Sequence, residues 1–156
     1  MPVTFRPATP ADLDELLIFN REFCELDQHP FDEQTLRPAL ARLLRDEALG
    51  RVWLIMYGTQ AIGYLALAFG YSLEYRGRDA FVDEIYIRAS HRRQGIGTQA
   101  FVFVEQACRE LGVRALHLEV EHRNGAAQQF YRSIGFYDQE RHLMTRLVDS
   151  GNTNRD

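Results

Sequence analysis

Apolar positions recur along the chain with two different periods, and the changes from one period to the other mark out its elements. VTFRPA (3–8) reads as a short strand. Thr9-Pro10-Ala11-Asp12 then has the features of a helix start: an N-cap hydroxyl, proline at the first helical position and acids in the first turn. That helix is predicted to run to about Asp27. Pro30 interrupts, and a second helix is predicted from about Asp32 to Leu49, closed by Gly50 as its C-cap. RVWLIMY (51–57), a Gly58-Thr59 turn and AIGYLALAFGYS (61–72) have the β-branched and aromatic composition of a hairpin. The polar turn EYRGRD (74–79) leads to a third long strand, AFVDEIYIR (80–88). Strict alternation there places Glu84 on one face with Val82, Tyr86 and Arg88.

A third helix is predicted from around Gly95 to Gly112, with Ile96, Phe101, Val104 and Cys108 on one face. VRALHLEV (113–120) reads as a strand, AAQQFYRSI (126–134) as a helix closed by Gly135, and RHLMTRLV (141–148) as a last strand. The polar end, DSGNTNRD, is expected to fray. This succession describes a single α/β domain with a mostly antiparallel first half and one parallel crossover.

Composition narrows the function classes. At 156 residues the chain has the length of about one domain, able to bury roughly 68–70% of its unfolded surface. A net charge of -4 gives no electrostatic footprint for nucleic acid and weakly favours cationic partners. No apolar run approaches the roughly 18 residues of a membrane span, and the first residues lack the charged and apolar regions of a leader, so a cytoplasmic protein is expected. Cys24 and Cys108 have no second cysteine at ligand spacing and are expected as buried free thiols.

The stretch HRRQGIGTQA (91–100) carries the first chemistry. Gly95, Gly97 and Ala100 satisfy the dinucleotide fingerprint G-x-G-x-x-A, and Glu119 lies where that fingerprint wants an acid. In that fingerprint, however, the strand runs almost directly into the first glycine. Here Ala89 to Gln94 intervene, and the chain is too short for a dinucleotide domain plus a substrate domain. Arg92 and Arg93 ahead of Gly95-Ile96-Gly97 at a helix N-terminus still describe an anion site, where free N–H groups, the helix dipole and two guanidinium groups meet a phosphate.

The pattern R-x-x-G-x-G from Arg92 to Gly97, after the strand segment E-I-Y-I (84–87), resembles the signature of the GCN5-related N-acetyltransferases (GNAT). A second segment agrees with it: N-x-x-A-x-x-F-Y-x-x-x-G-F, read as Asn124, Ala127, Phe130, Tyr131, Gly135 and Phe136. The opening FRPATPADLDEL is similar to that family's first strand and helix, so the resemblance runs from about residue 3 to 148, with the whole chain as one N-acetyltransferase domain. It departs from the family pattern at Phe130, commonly leucine, and at Ala89, often proline.

The resemblance implies a GNAT fold, a mixed, mostly antiparallel sheet with a splayed β4/β5 pair flanked by helices. It implies direct acetyl transfer from acetyl-CoA, as co-substrate, to a primary amine of a small molecule or peptide, without a metal. The pyrophosphate would lie on Arg92, Arg93, Gln94, Gly95, Ile96, Gly97 and Thr98, and the pantetheine arm on the backbone of Ile85, Tyr86 and Ile87. Asn124, Ala127, Phe130 and Tyr131 would complete the cofactor site, with Tyr131 also protonating the leaving thiolate. Glu119 and Glu84 compete as base; Glu119, twelve residues before Tyr131, is the expected one and Glu84 the alternative. Glu22, Glu25, Asp27, Asp32, Glu33, Glu74 and Asp79 would give the acceptor pocket an acidic rim suited to a cationic amine. A homodimer is compatible with this reading. A non-catalytic acyl-CoA-binding sensor is the alternative function, and an intact Tyr131 with two available carboxylates favours the enzyme.

Overall fold

The computed structural model describes residues 1–149. The chain divides into two compact units, Met1–Glu119 and Val120 onward.

The first unit holds β1 (Val3–Pro7), a 3-10 turn (Pro10–Asp12), α1 (Leu13–Asp27), α2 (Glu33–Arg45), β2 (Gly50–Tyr57), β3 (Gln60–Ser72), β4 (Gly77–Ile87), a second 3-10 turn (Ala89–His91), α3 (Ile96–Glu110) and β5 (Ala115–His117). The sheet runs in sequence order, β1-β2-β3-β4-β5. Its first three pairings are antiparallel and β4–β5 is parallel. Successive strand residues point to opposite faces, so the sheet acquires two apolar sides. Leu54, Tyr64, Ala66 and Tyr86 pack against Leu16 and Phe19 of α1 and Leu40 and Leu43 of α2. Ile55 and Ile62 pack against Ile96 of α3, where Phe103 also stacks on Phe5 with ring centroids 4.6 Å apart.

Local chemistry sets the entry to α1. The Asp12 carboxylate takes the Thr9 N–H at 2.7 Å and the Arg6 guanidinium at 2.8 Å, which ties the end of β1 to the helix start. The turn Pro10–Asp12 is 3-10, so α1 proper begins at Leu13, a few residues later than the cap signal suggests.

Several expected boundaries move. The second helix stops at Arg45, with Asp46 as its C-cap, rather than running to Leu49. Gly50 therefore does not cap it but opens β2, where a Cβ would overlap the carbonyl oxygen of Leu67 on the neighbouring strand. Strand β5 is only Ala115–His117. The Val113 N–H closes the end of α3 on the Cys108 carbonyl at 2.8 Å, and the β4 ladder ends at the Phe81–His117 pair. A strand exists through its ladder, so neither end of 113–120 qualifies. For the same reason 141–148 is not a strand: no ladder joins it to another segment among the described residues, and Met144 and Val148 are almost fully exposed.

The second unit is organised around α4 (Gly125–Ser133). The Asn124 side chain caps it by accepting the Ala127 N–H at 3.1 Å, the role of an N-cap amide. Gly135, at φ 103°, reverses the chain so that the Phe136 N–H reaches the Tyr131 carbonyl at 3.0 Å. Among the described residues of both units, no helix is long and apolar enough to cross a membrane.

Replacing Gly50 by alanine is expected to lower stability by about 1–3 kcal/mol, the scale of overpacking in a closed site. A reduced urea midpoint with an unchanged slope is the expected result.

Candidate active site

Strand β4 carries the first irregularity. Ala66 pairs with Glu84, while its neighbour Leu67 pairs with Val82, so Asp83 is an extra residue in β4. Adjacent residues of β3 face opposite sides, and their partners must do the same. The bulge therefore puts Val82 on the α3 side and Glu84 on the α1–α2 side, correcting the shared face expected from strict alternation. Tyr86, opposite Tyr64, stays on Glu84's side.

Beyond the Phe81–His117 pair the two parallel strands separate: β4 continues to Ile87 with no β5 partner. Glu84, Ile85, Tyr86 and Ile87 lie on one arm of this fork. Glu119 lies on the other, two residues past the end of β5 and exposed to solvent.

Glu84 is half-buried and sits in a hydrogen-bonded cluster. Its Oε2 accepts the Tyr64 hydroxyl at 2.7 Å and the Asn20 amide at 2.8 Å. Asn20 Nδ2 also reaches Tyr64 Oη at 3.1 Å, and Asn20 Oδ1 accepts the Cys24 thiol at 3.4 Å. Burial pushes the Glu84 carboxyl above its usual value, against the opposing pull of the Tyr64 and Asn20 hydrogen bonds. The Tyr64 phenol is driven far up, by burial first and then by the Glu84 charge, so it remains a donor. Glu84 Oε1 accepts no hydrogen bond from the described residues, and no buried side-chain polar atom among them is left unsatisfied. Oε1 is therefore not sealed in the core.

A cavity of about 140 Å³ opens beside this cluster. Its walls are apolar, from Leu16 of α1, Leu36, Leu40 and Leu43 of α2, and Val52 and Ala66 of the sheet. Its polar end is Asn20, Tyr64, Asp83 and Glu84. The cluster's partners Asn20 and Tyr64, and the bulged Asp83, were not among the sequence candidates. Asn20 had a readable signal: an amide four residues after Leu16 on a helix face that otherwise buries Leu16, Leu17 and Phe19. Tyr64 and Asp83 had none.

A second cluster lies further along β4. Glu22 takes Arg88 through both carboxylate oxygens, at 3.0 and 2.8 Å, and the Tyr86 hydroxyl at 2.9 Å. The Arg88 hydrogen bonds hold the Glu22 carboxyl below the usual range. Four members of the expected acidic rim are thus engaged within the chain: Glu22 with Arg88, Asp32 as the cap of α2, Glu33 with Arg37, and Asp79 with His117.

The loop from β4 to α3 has the shape of an anion cradle. Arg93 at φ 61° and Gly95 at φ 77° are left-handed, an alternation that points successive N–H groups to one side. A left-handed arginine is strained, and such strain concentrates at functional sites. No side chain caps α3, so its first-turn N–H groups at Ile96, Gly97 and Thr98 face outward without one. A Cβ on Gly95 would meet nothing within 4 Å, so the chain's own packing does not require that space to be empty. Arg92 Nε donates to the Ile87 carbonyl at 2.7 Å, which fastens the cradle to the end of β4. These groups fit the diphosphate of a coenzyme A thioester. Cys24 is half-buried rather than buried, while Cys108 is buried as expected. No group of three or more possible metal ligands occurs among the described residues.

In the second unit, Tyr131 packs edge-on against Phe136 at 6.0 Å, and burial raises its phenol above the ordinary value, which keeps it protonated at neutral pH. Asn124 and Ala127 make the cap of its helix.

The model of the acetyltransferase (GNAT) family matches residues 15–136, and the chain belongs to that family. It is 31% identical over 81 residues to the thialysine N-epsilon-acetyltransferase of Bos taurus, 52% of this chain and 47% of that protein, so it spans about half that enzyme's length. It is 26% identical over 137 residues to the aminoalkylphosphonate N-acetyltransferase of Salmonella typhimurium, 87% of this chain and 86% of that one. Among solved structures, an integron cassette protein from the Cole Harbour Salt Marsh metagenome superposes with a TM-score of 0.83 at 33% identity, covering 93% of this chain and 90% of the other. The fold is accordingly the GNAT fold: a five-stranded mixed sheet, splayed between β4 and β5 and flanked by helices.

Because the folded state raises the Glu84 pKa, that group's contribution to stability is complete below its unfolded value of 4.5 and declines as pH rises through the folded value. Tyr64→Phe removes a hydrogen bond that lowers this pKa. It is expected to carry the decline to higher pH and to cost about 1–3 kcal/mol near neutrality, as thermal melts across about pH 4–8 will read.

Proposed function

We propose that this chain is an N-acetyltransferase that moves an acetyl group from acetyl-CoA directly to a primary amine. The observation that carries the proposal is the half-buried Glu84 carboxylate beside the fork, fixed through Oε2 and unengaged at Oε1. A raised carboxyl pKa brings such a base closer to the proton it must take. Family membership and similarity to enzymes named for acetylating amines support the same reading.

Arg92, Arg93, Gln94, Gly95, Ile96, Gly97 and Thr98 hold the diphosphate in this proposal, and the edge of Ile85, Tyr86 and Ile87 that has no β5 partner aligns the pantetheine arm. Acetyl-CoA, when bound, supplies an acyl group already activated as a thioester. Glu84, directly or through one water, takes the proton of the acceptor ammonium. Tyr131 gives a proton to the departing sulfur as the C–N bond replaces the C–S bond, and the second proton shed by the nitrogen restores the phenol. Asn124 and Ala127 cap the helix that carries Phe130 and Tyr131, and the family resemblance is the ground for keeping all four as cofactor-site residues. Glu119, favoured on sequence spacing, is exposed beyond the end of β5, and this moves our assignment of the base to Glu84. The location we propose is the cytoplasm.

Thiol release from acetyl-CoA in the presence of a panel of amines tests the activity itself. Tyr131→Phe is expected to keep coenzyme A affinity and lower kcat by about 10²–10⁴-fold, the scale of one acid; unchanged kcat would return Tyr131 to packing. Glu84→Gln is expected to lower kcat/KM on a similar scale and to flatten the acidic limb of its pH profile, with Glu119→Gln changing little. The opposite pattern would restore Glu119 as the base.

A further inference from the structure

The cavity beside Glu84 also restricts the acceptor. Its volume of about 140 Å³ is well below the roughly 300–1,000 Å³ of pockets that enclose drug-sized ligands. A leucine-lined protein cavity of about 150 Å³ holds one benzene molecule, so this one takes an arm of about six heavy atoms. The polar groups of the lining are confined to Asn20, Tyr64, Asp83 and Glu84, while α2 contributes Leu36, Leu40 and Leu43. An ammonium is tolerated in such a space only against the carboxylates. Glu84 is aligned to receive it: both internal donors bond to Oε2, and Oε1 remains for the incoming N–H. A hydroxyl or a second cation placed against the α2 leucines would have no partner there. The acidic groups expected to attract polycations are in part engaged elsewhere, Glu22 with Arg88 and Glu33 with Arg37.

We propose that the acceptor is a primary amine at the end of an unbranched aliphatic arm of about four to five carbons, seated between α1, α2 and β4 with its nitrogen at Glu84 and its methylenes on the α2 leucines. This rests on the transfer reading above and narrows it: amino sugars and short-spaced diamines are poor acceptors. Whatever lies beyond the arm, whether a free alkylamine or the amino acid bearing a lysine-like side chain, remains outside the cavity and contributes little to selection.

The test is a chain-length series, ethylamine to hexylamine, with 1,3-diaminopropane and an amino sugar alongside, read by thiol release from acetyl-CoA and by calorimetric binding of the amine. Each methylene up to the fourth or fifth carbon is expected to raise kcat/KM about fourfold, the worth of one buried CH₂, with no further gain beyond. Leu40→Phe, which fills the far end, is expected to move the optimum to a shorter chain. A profile flat in chain length, or a preference for the diamine or the amino sugar, would overturn the inference. Length-dependent binding of the alkylamines without any thiol release would leave the inference standing and overturn the transfer reading. Absence of both binding and turnover across the alkylamines would overturn the inference.

Discussion

A carboxylate held half-buried against the inner face of a sheet is the constraint around which the first unit is arranged. Water stabilises an ionised carboxylate far better than an apolar interior does, so Glu84 is tolerated only with donors in place. The donors come from elements distant in sequence, Asn20 from α1 and Tyr64 from β3, and both converge on one oxygen. That convergence restrains the carboxylate while leaving its other oxygen open. It also brings helix α1, strand β3 and strand β4 to one point, with Phe19 packed between the Tyr64 and Tyr86 rings beside it.

The bulge at Asp83 makes this possible. Without an extra residue, Glu84 would share a face with Val82, which pairs with Leu67 on the side covered by α3. With it, the strand changes face at Asp83, two residues beyond Phe81 of the last β4–β5 pair. The same stretch of β4 thus presents a carboxylate toward α1 and α2 and, toward the fork, a backbone edge without a β5 partner. A parallel ladder that ends early is what leaves that edge accessible. The loop that follows continues the arrangement: Arg92 is tied back to Ile87, and the left-handed Arg93 and Gly95 turn N–H groups outward at the start of α3.

The leucines of α2 and the carboxylate of β4 then divide the cavity into an apolar and an anionic end. Charge pairing removes several acidic side chains from the field an acceptor would meet, Glu22 most completely, since Arg88 takes both its oxygens. In the acceptor site we propose, the fit of a hydrocarbon arm would govern selection more than long-range steering.

Much of this was legible in the chain as written, where the signal was local. The period of α1, the hairpin of β2 and β3 and the glycine-and-arginine loop each depend on neighbouring residues, and each is where the sequence places it. The loop from Arg92 to Thr98 was singled out for the same reason, whereas Glu84 entered only as the alternative to Glu119. The length of β5, the failure of 141–148 to pair, the bulge at Asp83 and the donors to Glu84 depend instead on groups far apart in sequence. A strand's extent is decided by its partner, and a buried carboxylate's environment by whichever helix and strand fold against it. So the sequence by itself determined the order of the elements as far as α4, and the family. Only the tertiary structure decided which face Glu84 takes and which of its oxygens stays open, because both follow from hydrogen bonds made across the fold.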